Sequence, residues 1–433
     1  MDYNICTLTD GMRVIHLPSV SSVIYCGIAV AAGTRHELPG EEGLAHFCEH
    51  LSFKGTHRRS AVQVINALEG VGGELNAFTN KEDTVYYCAI LRDHLRRAVD
   101  VLTDIVFCSE YPQQEVEKER EVVCDEIESY EDSPSELIFD DIENLLFEGH
   151  PLGHNILGNS ERVRSYDSAD AHRFTNRHYR PQDCVFFASG NLNFRQLVKW
   201  LEASHTSPSP GPSRRGEGSI YFQRGETANN ATTPLPSAGG AGGGAFVPGD
   251  LQSPIIRERG THQAHVIIAA PAFAASDPRR WSLFLLNNIL GGPGLNSRLN
   301  LSLRERHGLV YTVESSMVAY SDTGIWTTYF GCDPADVDRC RRLVRRELDR
   351  LMSRQLTDSQ LRAAKRQLQG QLAISCDNRE QFALDFARNY LHTGKQRDLT
   401  DIVRHIENLS PEDLQLAAQQ LFAPENTTTL IYK

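Results

Sequence analysis

EDTVYYCAIL (Glu82–Leu91) is a run of β-branched and aromatic residues with the composition of a strand. It leads into Asp93–Phe107, where Leu95, Ala98, Val99, Leu102, Ile105 and Val106 recur at helical spacing. The same succession returns in the second half of the chain. DTGIWTTYFGC (Asp322–Cys332) is followed by Asp336–Met352, with Val337, Cys340, Leu343, Val344, Leu348 and Leu351 on one face. Each half also closes alike. AHRFTNRHYRPQDCVFFASGNL (Ala171–Leu192) and LQLAAQQLFAPENTTTLIYK (Leu414–Lys433) each give a helix, a proline-bearing turn and a final strand. No Gly-x-Gly-x-x-Gly follows a strand, so the pattern is an α+β domain present twice rather than a dinucleotide-binding fold.

The 433 residues suit two domains of roughly 200 residues each. The join falls between Ser204 and Asp250, where SHTSPSPGPSRRGEGS and ETANNATTPLPSAGGAGGGAFVPGD carry too little apolar surface to offset their ordering entropy. The expected organisation is a domain over 1–203, a flexible linker over 204–250 and a second domain over 251–433. The glycine-rich tract at 239–244 lacks a following Lys-Ser/Thr, so it reads as linker and not as a phosphate loop.

Acidic residues outnumber basic ones, 56 against 44, for a net charge of −12. That sign disfavours nucleic acid and anionic membranes as partners. No apolar run reaches the roughly 18 to 20 residues of a membrane span, and the start, MDYNICTLTDGMRVIHL, has no secretory pattern. Ten cysteines without a CxxC pair suit reduced thiols. The expectation is a soluble cytoplasmic protein.

The chemistry concentrates in GLAHFCEHLSFKGT (Gly43–Thr56). On a helix His46, Glu49 and His50 share one face, while Leu44, Phe47 and Leu51 supply packing. Two neutral imidazoles and one carboxylate are what a catalytic zinc takes from protein, with a fourth position left for water. A third ligand must come from another element. The acidic stretch EVEKEREVVCDEIESYED (Glu115–Asp132) offers several, Glu119 and Glu126 on one helical face among them, and composition leaves open which binds.

These motifs resemble the M16 metallopeptidases, whose H-x-x-E-H is followed by a metal-binding Glu within E-R-x-V-x-x-x-E. Here E-R-E-V-V-C-D-E runs from Glu119 to Glu126, and Glu126 stands 76 residues after His50. The resemblance implies His46, His50 and Glu126 as Zn2+ ligands, Glu49 as general base and Glu119 as a second carboxylate tuning the site. Asp125 stands where many relatives have Glu. GGELNAFTNKEDTVYY (Gly72–Tyr87) looks like the family segment whose strand, here Asn76, Ala77, Phe78 and Thr79, pairs with extended peptide at the active-site edge. GHPLGHNILG (Gly149–Gly158) is also similar to a family segment, with His150 and His154 expected to be structural.

In the second half, SRLNLSLRERHGLVY is like the family stretch that brings an Arg/Tyr pair, here Arg304 and Tyr311, to the active site. No HxxEH occurs there, so one chain carries one metal site. The implied fold is two tandem homologous α/β-sandwich domains of the M16, mitochondrial-processing-peptidase-like type, forming half of a clamshell chamber. The implied function is a zinc endopeptidase acting on peptides inside that chamber. Family chambers contain four such domains, so a homodimer is expected, each zinc facing the Arg/Tyr pair of the partner. The competing expectation is a non-catalytic M16-like subunit, or one half of a heterodimer.

Overall fold

The structure is a computed structural model that describes residues 3–205, 223–224, 253–396 and 398–433. Apart from Ser204, His205, Gln223 and Arg224, the expected linker at 204–250 lies outside the described residues. In chain order the first half builds β1 (Asn4–Thr7), β2 (Arg13–Pro18), β3 (Val23–Val30), α1 (Leu44–Ser52), α2 (Ala61–Glu69), β4 (Glu74–Thr79) and β5 (Thr84–Leu91). It continues through α3 (Leu95–Phe107), α4 (Gln113–Glu131), α5 (Pro134–Leu146), α6 (Ser160–Ser165), α7 (Ser168–His178), β6 (Cys184–Gly190), α8 (Phe194–His205) and β7 (Gln223–Arg224). The second half builds β8 (Ile255–Arg257), β9 (Ala264–Ala272), α9 (Arg280–Gly291), β10 (Val310–Ala319), β11 (Gly324–Cys332) and α10 (Val337–Ser353). It ends with α11 (Asp358–Ser375), α12 (Arg379–Thr393), α13 (Leu399–Asn408), α14 (Pro411–Phe422) and β12 (Thr428–Tyr432).

The repeat read from the sequence is present in the topology. One sheet has the order β4-β5-β3-β6-β2-β1-β7 and the other β10-β11-β9-β12-β8. In the first, β3 pairs antiparallel with β5 and β6, and β6 pairs parallel with β2. In the second, β9 pairs antiparallel with β11 and β12, and β12 pairs parallel with β8. The two five-strand patterns are therefore the same. Every apolar position expected on α3 and α10 is buried, from Leu95 to Val106 and from Val337 to Leu351.

Two compact units are formed. The first takes the described residues of Met1–Ile127, His154–Gly242 and Cys376–Arg397; the second takes those of Glu128–Gly153, Gly243–Ser375 and Asp398–Lys433. Each unit thus contains a segment from the other half of the sequence. Helix α12 packs on β3 and β6 of the first sheet, and α5 packs on β9 and β12 of the second. These are equivalent strand pairs. The physical reason lies in the strands: β6 and β11 are buried at every position, so both faces of each sheet must be covered. Leu137, Ile138, Ile142 and Leu146 of α5 join Ile267, Ala269, Leu430 and Tyr432 in one apolar cluster. On the first sheet, Phe386 of α12 stacks on Tyr3 with ring centroids 5.3 Å apart. All ten cysteines are free. Among the described residues no helix is long and apolar enough to cross a membrane.

Candidate metal centre

Helix α1 carries His46, Glu49 and His50, and its entry is built without a cap of its own. Gly43, with φ of 89°, occupies the cap position in the left-handed region that favours glycine. A Cβ there would also meet the Leu157 carbonyl oxygen at 2.6 Å. The orphan amides are taken by a distant carboxylate instead: Glu37 Oε2 accepts from Gly43 N at 3.0 Å and Oε1 from Ala45 N at 2.7 Å. A negative group at this end also complements the helix dipole. His154 Nε2 lies 2.8 Å from Glu37 Oε2, so this histidine supports the cap rather than the centre. His150 is 3.3 Å from Asp322. Leu44, Phe47, Cys48 and Leu51 anchor the buried side of α1, leaving its polar stripe toward α4 and β4.

The stripe meets α4. His46, His50 and Glu126 each offer one ligand atom, and these atoms lie within 4.8 Å of one another. His50 Nε2 is 3.4 Å and His46 Nε2 3.9 Å from Glu126 Oε2. A tetrahedral ion with bonds of roughly 2.0 to 2.2 Å holds its ligands about 3.3 to 3.6 Å apart. The donor set and spacing therefore fit a metal with little adjustment. Among the described residues this is the single group of three or more His, Cys, Asp or Glu side chains so arranged.

Glu119 lies one step behind the cluster. Its Oε1 is 3.1 Å from His50 Nδ1 and its Oε2 is 2.6 Å from Lys54 Nζ. Holding Nδ1 directs Nε2 toward Glu126. Although burial opposes it, the hydrogen bonds from His50 and Lys54 hold the Glu119 carboxyl below the ordinary range. Burial likewise works against a charge on His50, yet hydrogen bonds to Glu119 and Glu126 push its pKa up to about 9. His46 goes the other way, lowered by burial and by the charge of His50 to about 4. Its Nδ1 is buried with no hydrogen-bond partner among the described residues.

Glu49 is 8% exposed, and burial pushes its carboxyl up. Thr79 Oγ1 donates to Glu49 Oε2 at 2.6 Å, leaving Oε1 without that bond. Thr79 ends β4, an edge strand of its sheet, where among the described residues one row of backbone groups has no strand partner. Asn76 on the same strand is exposed, while Ala77 and Phe78 are half-buried. Lys54 and the bond from Thr79 to Glu49 were not read from the sequence. Lys54 lies just past the end of α1 at Ser52 and pairs with Glu119 on α4, so no helical spacing marks it in the sequence.

Arg304 and Tyr311 belong to the second unit. Arg304 sits in a π-helical turn, Asn300–Glu305, and its Cζ lies 5.7 Å from the centroid of the Tyr311 ring. Tyr311 is 82% exposed at the start of β10, the edge strand of the second sheet.

A family model described as insulinase, peptidase family M16, matches residues 14–160, which contain the whole cluster. A second, described as the peptidase M16 inactive domain, matches residues 165–368, where no such cluster is found among the described residues. An uncharacterized zinc protease of Streptomyces coelicolor is 33% identical over 428 residues, 98% of this chain and 88% of its own. The uncharacterized zinc protease YmxG of Bacillus subtilis is 30% identical over 430 residues, 98% of this chain and 97% of its own. Among solved structures, a protease from Helicobacter pylori matches with a TM-score of 0.84 at 20% identity, covering 100% of this chain and 99% of that one. A peptidase M16 inactive domain from Pseudomonas fluorescens matches at 0.83 and 17% identity, covering 100% and 98%. With its fold, its repeated plan and relatives matched along nearly the whole chain, this protein belongs to the M16 family of peptidases.

Proposed function

We propose that the chain is a zinc-dependent endopeptidase whose working site is built on α1, α4 and β4. The observation that carries this is the convergence of His46, His50 and Glu126, with Glu49 on the same helix as the histidines. His46 and His50 through Nε2, and Glu126 through a carboxylate oxygen, would hold zinc. When bound, zinc supplies a Lewis acid and a water of lowered pKa at its open position.

The chain's own residues do the rest. Glu49 accepts the proton of the attacking water and returns it to the leaving nitrogen as the peptide bond breaks. Thr79 fixes one oxygen of Glu49, which keeps the other free for that transfer. The free edge of β4, from Asn76 to Thr79, takes an extended peptide by strand addition and so lays the scissile bond beside Glu49. Glu119 holds the orientation of His50, with Lys54 neutralising its second oxygen.

The same reading makes the working form a homodimer. One chain carries both the metal cluster and a half-buried Arg304 beside an exposed Tyr311, and each cluster is completed by Arg304 and Tyr311 of the partner subunit. The guanidinium offers a bidentate grip on carbonyl or carboxylate oxygens, and the phenol a donor to the developing oxyanion. Substrates are peptides and unfolded segments admitted to the enclosed space. Ten free cysteines, nearly all buried, support a reducing, cytosolic setting.

Metal analysis of the purified protein, paired with hydrolysis of an internally quenched peptide, tests the proposal. About one zinc per chain is expected, with activity removed by a chelator and restored by zinc. Equal hydrolysis by the metal-free protein would contradict it.

A further inference from the structure

A cavity of about 340 Å3 opens in the second unit, beside the turn Asn300–Glu305 and the C-terminal end of α10. Its charged lining is Arg298, Arg306, Arg350, Arg354 and Glu347, a net charge of +3 on a chain that carries −12. Glu347, 4% exposed, holds Arg350 Nη1 at 2.6 Å and also lends its charge to Arg298, which leaves the lining with more cations than one carboxylate can balance. Among the described residues Arg298, Arg306 and Arg354 form no ion pair. Arg298 is partly buried, and burial lowers its pKa from the usual value.

Placing like charges around one half-open cavity is unfavourable. The carbonyls that end α10 take up part of the charge of Arg350 and Arg354. Arg298 and Arg306 come from the other wall, where Arg298 feels the charge of Glu347 and Arg306 caps the turn Asn300–Glu305, and the lining still keeps its excess of three positive charges. Gln360, in the first turn of the 18-residue helix α11, adds an amide and the positive end of that helix dipole to the rim. All four cations are arginines, whose planar forks match oxyanions two oxygens at a time.

We propose that this cavity binds a small multivalent oxyanion of the polyphosphate class, either free or as the phosphates of a nucleotide. Its volume sits at the lower end of small-molecule sites, about 300 to 1,000 Å3, which suits a short phosphate chain and not a folded segment. Arg298 and Arg306 flank the turn that carries Arg304. A ligand held by both therefore ties the two flanks of that turn to the end of α10. The site is distinct from the metal cluster, and its occupancy is read by binding, so its failure and that of the peptidase reading are separately visible.

The test is calorimetric titration of the zinc-loaded full chain with tripolyphosphate, with ATP and orthophosphate as parallel arms and zinc content measured before and after. One tripolyphosphate per chain is expected, with zinc retained, a raised melting temperature and much weaker binding of orthophosphate. The double variant Arg306→Gln/Arg354→Gln, both exposed positions, should bind about 100-fold more weakly, about tenfold per arginine. Arg298→Lys should weaken binding in the same direction, and if it fails to fold the exposed pair carries the test. ATP binding as tightly as tripolyphosphate assigns the nucleotide source, and weaker ATP binding assigns free polyphosphate. Undiminished binding by the double variant overturns the site, as does heat that tracks loss of zinc. A short polyglutamate peptide of equal charge binding as tightly as tripolyphosphate overturns the ligand class.

Discussion

Thr79 and Glu119 act on the centre from opposite sides. Thr79 donates to Glu49, the carboxylate proposed as the base, and Glu119 accepts from His50, one of the proposed metal ligands. Removing the Thr79 hydroxyl leaves Glu49 buried with one hydrogen bond fewer and freer to rotate. Thr79→Val is expected to lower kcat about tenfold with little change in KM, and Thr79→Ser to restore most of it, measured by steady-state peptide hydrolysis. Lys54→Met removes the cation from Glu119 and should weaken zinc binding about 10- to 100-fold in a chelator competition. Glu49 stands at helical spacing from His46 and His50, so its sharing their face was legible from the residues alone, whereas Glu119, on a separate helix, was singled out only by the family resemblance. The Thr79 contact was not legible. Thr79 and Glu49 are 30 residues apart on different elements, and no periodicity links a strand end to a helix face.

At the scale of elements, the duplicated strand-and-helix plan was legible because alternation and 3.6-residue periodicity are local. The exchange of α5 and α12 was not, because which sheet face a helix covers depends on tertiary burial. A visible sign is that β6 and β11 are apolar or small on both faces, which demands a cover from somewhere. Asp83, just before β5, fixes α12 in place: Oδ1 accepts from Arg388 Nε at 2.9 Å and Oδ2 lies 2.8 Å from His392 Nε2. Burial alone would raise this carboxyl, but the His392 hydrogen bond and the Arg388 charge outweigh it and hold the pKa at about 2. Since an unfolded Asp titrates near about 3.9, the contribution is complete above about pH 4 and disappears as pH falls through about 2. Asp83→Asn should cost about 2 kcal/mol at neutral pH. In denaturant titrations across pH, the parent should lose that increment between about pH 4 and pH 2, and the variant should lack the step.

For the whole molecule, the proposed dimer makes a prediction that neither residue nor element can. Glu49→Gln and Tyr311→Phe each disable a different wall of the same composite site. Separately they should be nearly inactive. Mixed and allowed to exchange subunits, half of the dimers are hybrids, each with one intact site, so activity should return to about a quarter of the parental value. A mixture no more active than its components contradicts sharing between subunits. Beneath the dimer and the chamber lies the claim that a zinc-loaded chain hydrolyses peptide bonds with Glu49 as the base. Its most direct test is turnover of an internally quenched peptide by Glu49→Gln protein with its metal content measured on the same sample. The expected result is a full complement of zinc and a kcat reduced by about 100-fold or more; full zinc with turnover at the parental rate would contradict it.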